Sequence, residues 1–288
     1  MFTSARSITV IATMLLLALA TQGAAQITLP TRPHETLSLE LESLRDDITL
    51  YKGDPQHLLL MSVNPDRFRP RVEYSGAARA LLRIRDLYLF ENPKYSSLTP
   101  EEREKAEGPI PEEWEIRLCP SGPTSFTLQC DRGKGTFDFS EFQVQSVHIE
   151  ANRTKVEVEF ASQNPIVLES FFASVPAGSL RFQHLLNARA KQVTLDVPGA
   201  VCQLEVVGAE SEGESVINLQ GVPSEMKVVV SRKVGVRVTG PPATAAHFAA
   251  PHMAQAGEDW TSQGYEAAKC RVRFTFAEDV PKLEVAWK

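Results

Sequence analysis

Val193-Thr194-Leu195-Asp196-Val197-Pro198-Gly199-Ala200-Val201-Cys202-Gln203-Leu204-Glu205-Val206 decides how this chain is read. Two runs of strictly alternating apolar and polar residues flank a Pro-Gly turn. Alternation with a period of two gives a strand with one buried and one wet face. Moving outward, the same texture returns at Val156-Glu157-Val158-Glu159-Phe160, at Val234-Gly235-Val236-Arg237-Val238 and at Val272-Arg273-Phe274-Thr275-Phe276. Turn signals fall at Ala151-Asn152-Arg153, Pro176-Ala177-Gly178, Pro198-Gly199 and Arg232-Lys233. The first two intervals are roughly two dozen residues, a spacing used by coiled repeat folds, and the third is longer.

Upstream, Leu37 to Leu41 and Ile48 to Tyr51 alternate, Leu58 to Val63 forms a further strand, and Arg71 to Tyr74 pairs with Leu81 to Ile84 across Ser75-Gly76. Trp114 to Leu118, Thr124 to Leu128, Gly135 to Phe139 and Val144 to Ile149 continue the series, and Arg271 to Phe276 and Leu283 to Trp287 close it. Residues 26–36 read as a lead-in and 241–268 as irregular. Amphipathic helices are almost missing, so the sheets must cover each other, as in a sandwich, a barrel or a solenoid. The quasi-repeat favours the solenoid. The expected fold is all-β, a β-solenoid-like stack of short strands with one polar connector insertion. Its parts are a signal peptide at 1–25, an N-terminal β segment at 26–90, a polar connector at 91–113 and the main solenoid at 114–288.

The signal is read from Arg6, the apolar run Ile8 to Ala20 and the small residues Gly23-Ala24-Ala25, with Gln26 as the expected first mature residue. An uncleaved anchor stays open as the alternative. The expected location is the bacterial periplasm or the exterior, with no integral membrane segment after cleavage. The net charge is −6, and its interspersed acids argue against nucleic acid or an anionic membrane surface as partner.

Four cysteines in an exported chain permit disulfides. Cys119 and Cys130 are the candidate pair, closing a short loop around a Pro-Ser-Gly-Pro turn; an unstrained bond would contribute roughly 3 kcal/mol. Cys202 and Cys270 read as small buried hydrophobes.

Three stretches carry a family resemblance: residues 37–74, beginning LSLELESLRDDITLYKGDPQHLLL; residues 114–160, with Asp138-Phe139-Ser140; and residues 185–240, with Asn187-Ala188 and Val234-Gly235-Val236-Arg237-Val238. They resemble the toast-rack, adhesin-like β-solenoid family, whose domain also occurs in LiaF-like envelope-stress proteins. The resemblance implies a solenoid fold and envelope or interaction roles, and it supplies no catalytic residues. LiaF-like proteins carry membrane helices before this domain, whereas this chain opens on a signal.

Candidate chemistry is sparse. His247 and His252 flank Pro251, which precludes the helical spacing of a zinc pair. Asp46-Asp47 reads as a turn, and Glu112-Glu113 and Glu278-Asp279, as sequence neighbours, would point to opposite faces of a strand. Gly133-Lys134-Gly135 reads as a tight turn, since no helix pattern follows to hold a phosphate. Asp138 and Asp196 would have to stack on neighbouring rungs to serve a polysaccharide-cleaving β-helix. Arg67, Arg69 and Arg71 form the most basic patch, read chiefly as edge protection and secondarily as a binding surface, with Trp260 and Tyr265 as aromatic candidates. No cofactor or metal is expected. The favoured function is a non-enzymatic envelope module that meets a protein or glycan. The alternatives are a carbohydrate-active β-helix enzyme and a self-associating structural protein, and the oligomeric state is open.

Overall fold

The computed structural model describes residues 25–43, 46–63, 70–86, 112–209, 212–248, 253–257 and 259–288. Residues 1–24 of the signal, most of the 91–113 connector, Arg67, Arg69 and His252 lie outside the described residues.

The N-terminal strands are β1 (Ala25–Pro30), β2 (Thr36–Ser43), β3 (Asp46–Lys52), β4 (His57–Val63), β5 (Pro70–Ser75), β6 (Arg79–Asp86) and β7 (Glu112–Leu118). The central ones are β8 (Thr124–Cys130), β9 (Gly133–Asp138), β10 (Val144–Ala151), β11 (Thr154–Glu159), β12 (Ser170–Ser174) and β13 (Ser179–Gln183). Then come β14 (Gln192–Asp196), β15 (Val201–Val206), β16 (Gly213–Gln220), β17 (Glu225–Val230) and β18 (Gly235–Thr239). The helix α1 (Pro242–Ala246), β19 (Met253–Ala256), β20 (Asp259–Ser262), β21 (Cys270–Phe276) and β22 (Leu283–Trp287) finish the chain.

From β8 to β17 the chain alternates between two facing sheets, one strand to each. β8, β10, β12, β14 and β16 run parallel side by side in a 12-stranded sheet. β9, β11, β13, β15 and β17 do the same in a 10-stranded sheet. Each pair of strands is one turn of a two-sheet β-solenoid. The all-β stacked expectation holds.

Register explains the core. In the 12-stranded sheet Leu82, Leu39, Phe126, Val147, Phe171, Val193, Ile217, Phe274 and Val238 are successive cross-strand partners. Opposite them run Ile116, Leu50, Phe137, Val158, Phe182, Leu204, Val228 and Val285. Nearly all are buried. A fully buried side chain of this size contributes about 1.5–3 kcal/mol of transfer free energy, so like-on-like stacking down the axis is the main source of cohesion.

The ends are not built in chain order. β6 and β7 form a turn of the solenoid outside that of β2 and β3. The chain then leaps back to place β8 on the inner side of β2. The leap crosses Cys119 to Pro123 and is clamped to the start of β2. His34 N donates to Ser121 Oγ (3.2 Å), and Ser121 N donates to His34 Nε2 (3.2 Å). A side chain on Gly122 would place its Cβ 2.4 Å from Glu35 O, so only glycine permits this approach. At the other end β18 lies outermost of the parallel strands, and the later β21 slots between it and β16. Antiparallel strands flank three of the four sheet ends: β4 and β1 beside β7, β5 beside β6, and β20 and β19 beside β18, while the 10-stranded sheet ends on the parallel strand β22. The half-buried apolar residues Ile27, Leu29, Val72, Tyr74, Met253, Trp260, Val285 and Trp287 all belong to these end strands or to β22.

Four local expectations change. The lead-in contains β1, whose Ile27 and Leu29 pack on the core and whose backbone pairs with β4. Asp46 and Asp47 open β3, and Gly133 to Gly135 open β9, because each is drawn into register by a neighbouring strand. The 241–268 stretch carries α1, β19 and β20 as an end cap, with Phe248 packed against Phe274 and Phe276.

Turns are stitched by buried amides. Asn164 Nδ2 donates to Val144 O (2.8 Å), while Val144 N donates to Asn164 Oδ1 (3.0 Å). One turn later Asn187 Nδ2 donates to Phe160 O (2.8 Å), and Ala209 N donates to Asn187 Oδ1 (2.7 Å). These bonds satisfy backbone groups that the strand ladders leave unpaired.

Candidate functional site: a trough along the twelve-stranded sheet

The outer faces of the two sheets differ. On the 10-stranded sheet, charges pair between and along strands: Glu157 sits 3.1 Å from Lys134 and 2.8 Å from Lys155, and Arg181 lies 3.3 Å from Glu205. Lys155, and after it Lys134, hold the Glu157 carboxyl below its ordinary value against the opposing effect of burial. Glu115 is lowered by the Tyr51 hydroxyl and then by Arg117. This face is a self-neutralising lattice of ion pairs.

The 12-stranded sheet carries ion pairs too, such as Arg83 with Glu40 (2.6 Å) and Arg273 with Glu214 (2.8 Å), and beside them a ladder of hydrogen-bonding side chains. Arg85, Glu42, Gln129, Glu150, Ser174, Asp196 and Gln220 are successive partners, one per strand. Strands stand about 4.8 Å apart, so the ladder offers a polar group at that interval along the axis. Beside it, His148 and Phe172 are cross-strand partners whose rings stack at 4.7 Å and 22°. Their flanking partners in the same row are short, Thr127 before His148 and Thr194 after Phe172. The ring pair therefore rises as a wall from the sheet.

Between this wall and the rim of turns lies an open trough of about 400 Å³. Glu42, Gln129, Glu150 and Ser174 line its floor, with Asp131, Asn152 and Pro176 along the rim and Phe172 on the wall side. The polar groups are pre-positioned by one another. Gln129 Nε2 donates to Glu150 Oε2 (3.3 Å), and His148 Nε2 lies 2.9 Å from Glu150 Oε1. Asn152 Nδ2 donates to Asp131 Oδ1 (2.8 Å), Arg85 lies 3.2 Å from Glu42, and Ser174 Oγ donates to Asp196 Oδ2 (3.1 Å). Carboxylates accept several hydrogen bonds each, so these contacts leave acceptor capacity facing the trough.

The residues expected from sequence lie elsewhere. Arg71 stands on β5, at one end of the 12-stranded sheet, paired with Glu73 at 2.5 Å. Trp260, on β20, is near the opposite end of that sheet and half-buried against the core. Tyr265 is buried beneath Arg237, whose guanidinium sits 4.5 Å from the ring centre, and burial followed by Glu214 raises its hydroxyl pKa. These residues form no common patch, because the length of the solenoid separates Arg71 from the other two. Asp138 and Asp196 belong to different sheets and do not stack.

Cys119 precedes β8 and Cys130 ends it. A seven-residue strand spans about 20 Å, whereas a disulfide holds Cα atoms within about 7 Å. The expected pair is not made: closeness in sequence is undone by the extended strand between the two. Cys202 faces inward as read, fully buried, and burial pushes its thiol up to about 12. Among the described residues no three His, Cys, Asp or Glu side chains are placed to hold a metal ion, and no helix is long and apolar enough to cross a membrane.

Sequence reading missed the trough. One signal pointed to it: Phe171-Phe172 puts two large apolar residues side by side on a strand, so one must face outward.

The fold defines a class, a two-sheet β-solenoid. No family model matches the chain, and no curated protein matches it in sequence. A solved structure described as a putative cell adhesion protein from Clostridium sporogenes is similar over 92% of this chain and 100% of that one, at 12% identity and a TM-score of 0.45. A likeness this distant bears on neither ligand nor partner.

Proposed function

We propose that this chain is a non-enzymatic interaction module of toast-rack, adhesin-like type, exported to the cell envelope, and that it offers the outer face of its 12-stranded sheet to a partner protein or glycan. The observation that carries the reading is the trough: a pre-ordered row of acceptors and amides beside a raised aromatic pair, held on parallel strands rather than on loops. Sites on regular strands keep their geometry without a ligand, which lowers the ordering cost of binding. Export rests on the Arg6 to Ala25 signal. Cleavage after Ala25 would leave the pairing of Gln26 to Pro30 with β4 whole.

The test is photo-crosslinking in intact cells, with the reactive residue placed at Ser174 in the trough or at Arg181 on the opposite face. The reading predicts adducts from the envelope fraction at Ser174 and few at Arg181. Equal labelling at both positions, or recovery of the chain only from the cytoplasm, would overturn it.

A further inference from the structure

We infer that the trough binds a linear, neutral polysaccharide laid parallel to the solenoid axis. The inference rests on the interaction-module reading and names the ligand of that same site. Three features lead to it.

First, the polar floor is periodic. Glu42, Gln129, Glu150 and Ser174 occupy successive strands, so a chain lying along the axis meets a hydrogen-bonding group about every 4.8 Å, close to the length of one sugar residue. A peptide strand running that way would cross the sheet strands at a right angle and gain no ladder hydrogen bonds from them. Second, the walls differ in character. Phe172 turns one face to His148 along the axis, so its ring edge borders the trough as an apolar wall against which the carbon-hydrogen flank of a pyranose can pack. The opposite rim presents Asp131 and Asn152, which suit hydroxyls. Sites that combine an apolar face with a few fixed polar groups favour ligands of the same mixed kind. Third, the carboxylates already have partners: Arg85 at Glu42, His148 and Gln129 at Glu150, Asn152 at Asp131. Hydroxyls can fill the acceptor sites that remain without displacing these partners.

The test is a glycan array of neutral linear saccharides probed with the mature protein, followed by titration with the best hexasaccharide and with hexalysine as the rival. The account predicts saturable binding to at least one neutral linear saccharide. The hexamer should bind at least tenfold more tightly than its dimer, because only the longer chain reaches several rungs. Phe172→Ala should weaken binding at least tenfold, and Gln129→Ala severalfold; both side chains face outward, and circular dichroism checks that each variant keeps the fold. Binding of no array member, binding indifferent to length or to Phe172→Ala, or binding of hexalysine alone would overturn the inference. The crosslinking at Ser174 reads the parent proposal separately: envelope adducts without saccharide binding would leave the module reading standing and remove this one.

Discussion

Gly135 offers the sharpest test of the core. It lies in the inward column Trp114, Ile48, Gly135, Val156, Leu180, Cys202, Met226 and Leu283, where it is the one residue without a side chain. The vacancy is filled by Phe137, two residues along the same strand: a Cβ on Gly135 would sit 2.7 Å from two atoms of that ring. The ring cannot move away freely, since it is fully buried and stacks on Phe139 at 6.4 Å. Gly135→Ala should therefore cost about 1–3 kcal/mol through overpacking, despite the better strand propensity of alanine. Phe137→Leu should cost roughly 1–2 kcal/mol by leaving space. Together they should cost less than their sum by at least about 1 kcal/mol, since the smaller residue makes room for the methyl. Urea unfolding followed by tryptophan fluorescence is the assay, with the midpoint read at unchanged slope; buried Trp114 reports on this column. If Gly135→Ala falls within about 0.5 kcal/mol of the parent, or if the two changes simply add, the packing logic is wrong.

Other consequences follow from the same contacts. Asn187→Leu should cost about 1–3 kcal/mol, since it leaves the buried Phe160 O without its donor; calorimetry would show a melting point several degrees lower, and an unchanged one would contradict the stitching role. Glu157 is held below its ordinary 4.5 by Lys155 and then Lys134. The folded state thus binds fewer protons there, and this contribution is present above about pH 4.5 and lost as pH falls through the lowered value. Glu157→Gln should flatten the acid decline of melting temperature, and an identical decline in the variant would refute the assignment. At pH 8 a thiol reagent should label half-exposed Cys119 in the folded protein and reach Cys202 only on unfolding, and mass spectrometry should find no Cys119–Cys130 bond.

How much was legible depends on the kind of interaction involved. The facing of Val193, Leu195 and Cys202 is a local property of alternation, and it reads directly. The turns at Pro176-Ala177-Gly178 and Pro198-Gly199 are equally local. Rung order is not local. The placement of β6 and β7 outside β2 and β3, and of β21 between β16 and β18, is decided by which apolar column each strand completes, and one sequence does not display those columns. β1 escaped notice because Ile27 and Leu29 alternate only briefly among Thr and Pro. The trough shares this limit: Gln129, Glu150 and Ser174 look like unrelated surface residues until register aligns them, and only the doubled Phe171-Phe172 hinted at an outward aromatic. The disulfide expectation failed for a related reason, because spacing in sequence was read as spacing in space across an extended strand.

The stack itself is tested most directly by a distance along it. With the native cysteines replaced, spin labels at Thr127 and Asn218 would sit in one outward row on β8 and β16, separated by β10, β12 and β14. Four strand spacings place their backbones about 19 Å apart, and pulsed electron spin resonance should give a single narrow distribution near that value. A broad distribution, or a distance beyond roughly 30 Å, would contradict the parallel register on which the core columns and the trough both depend.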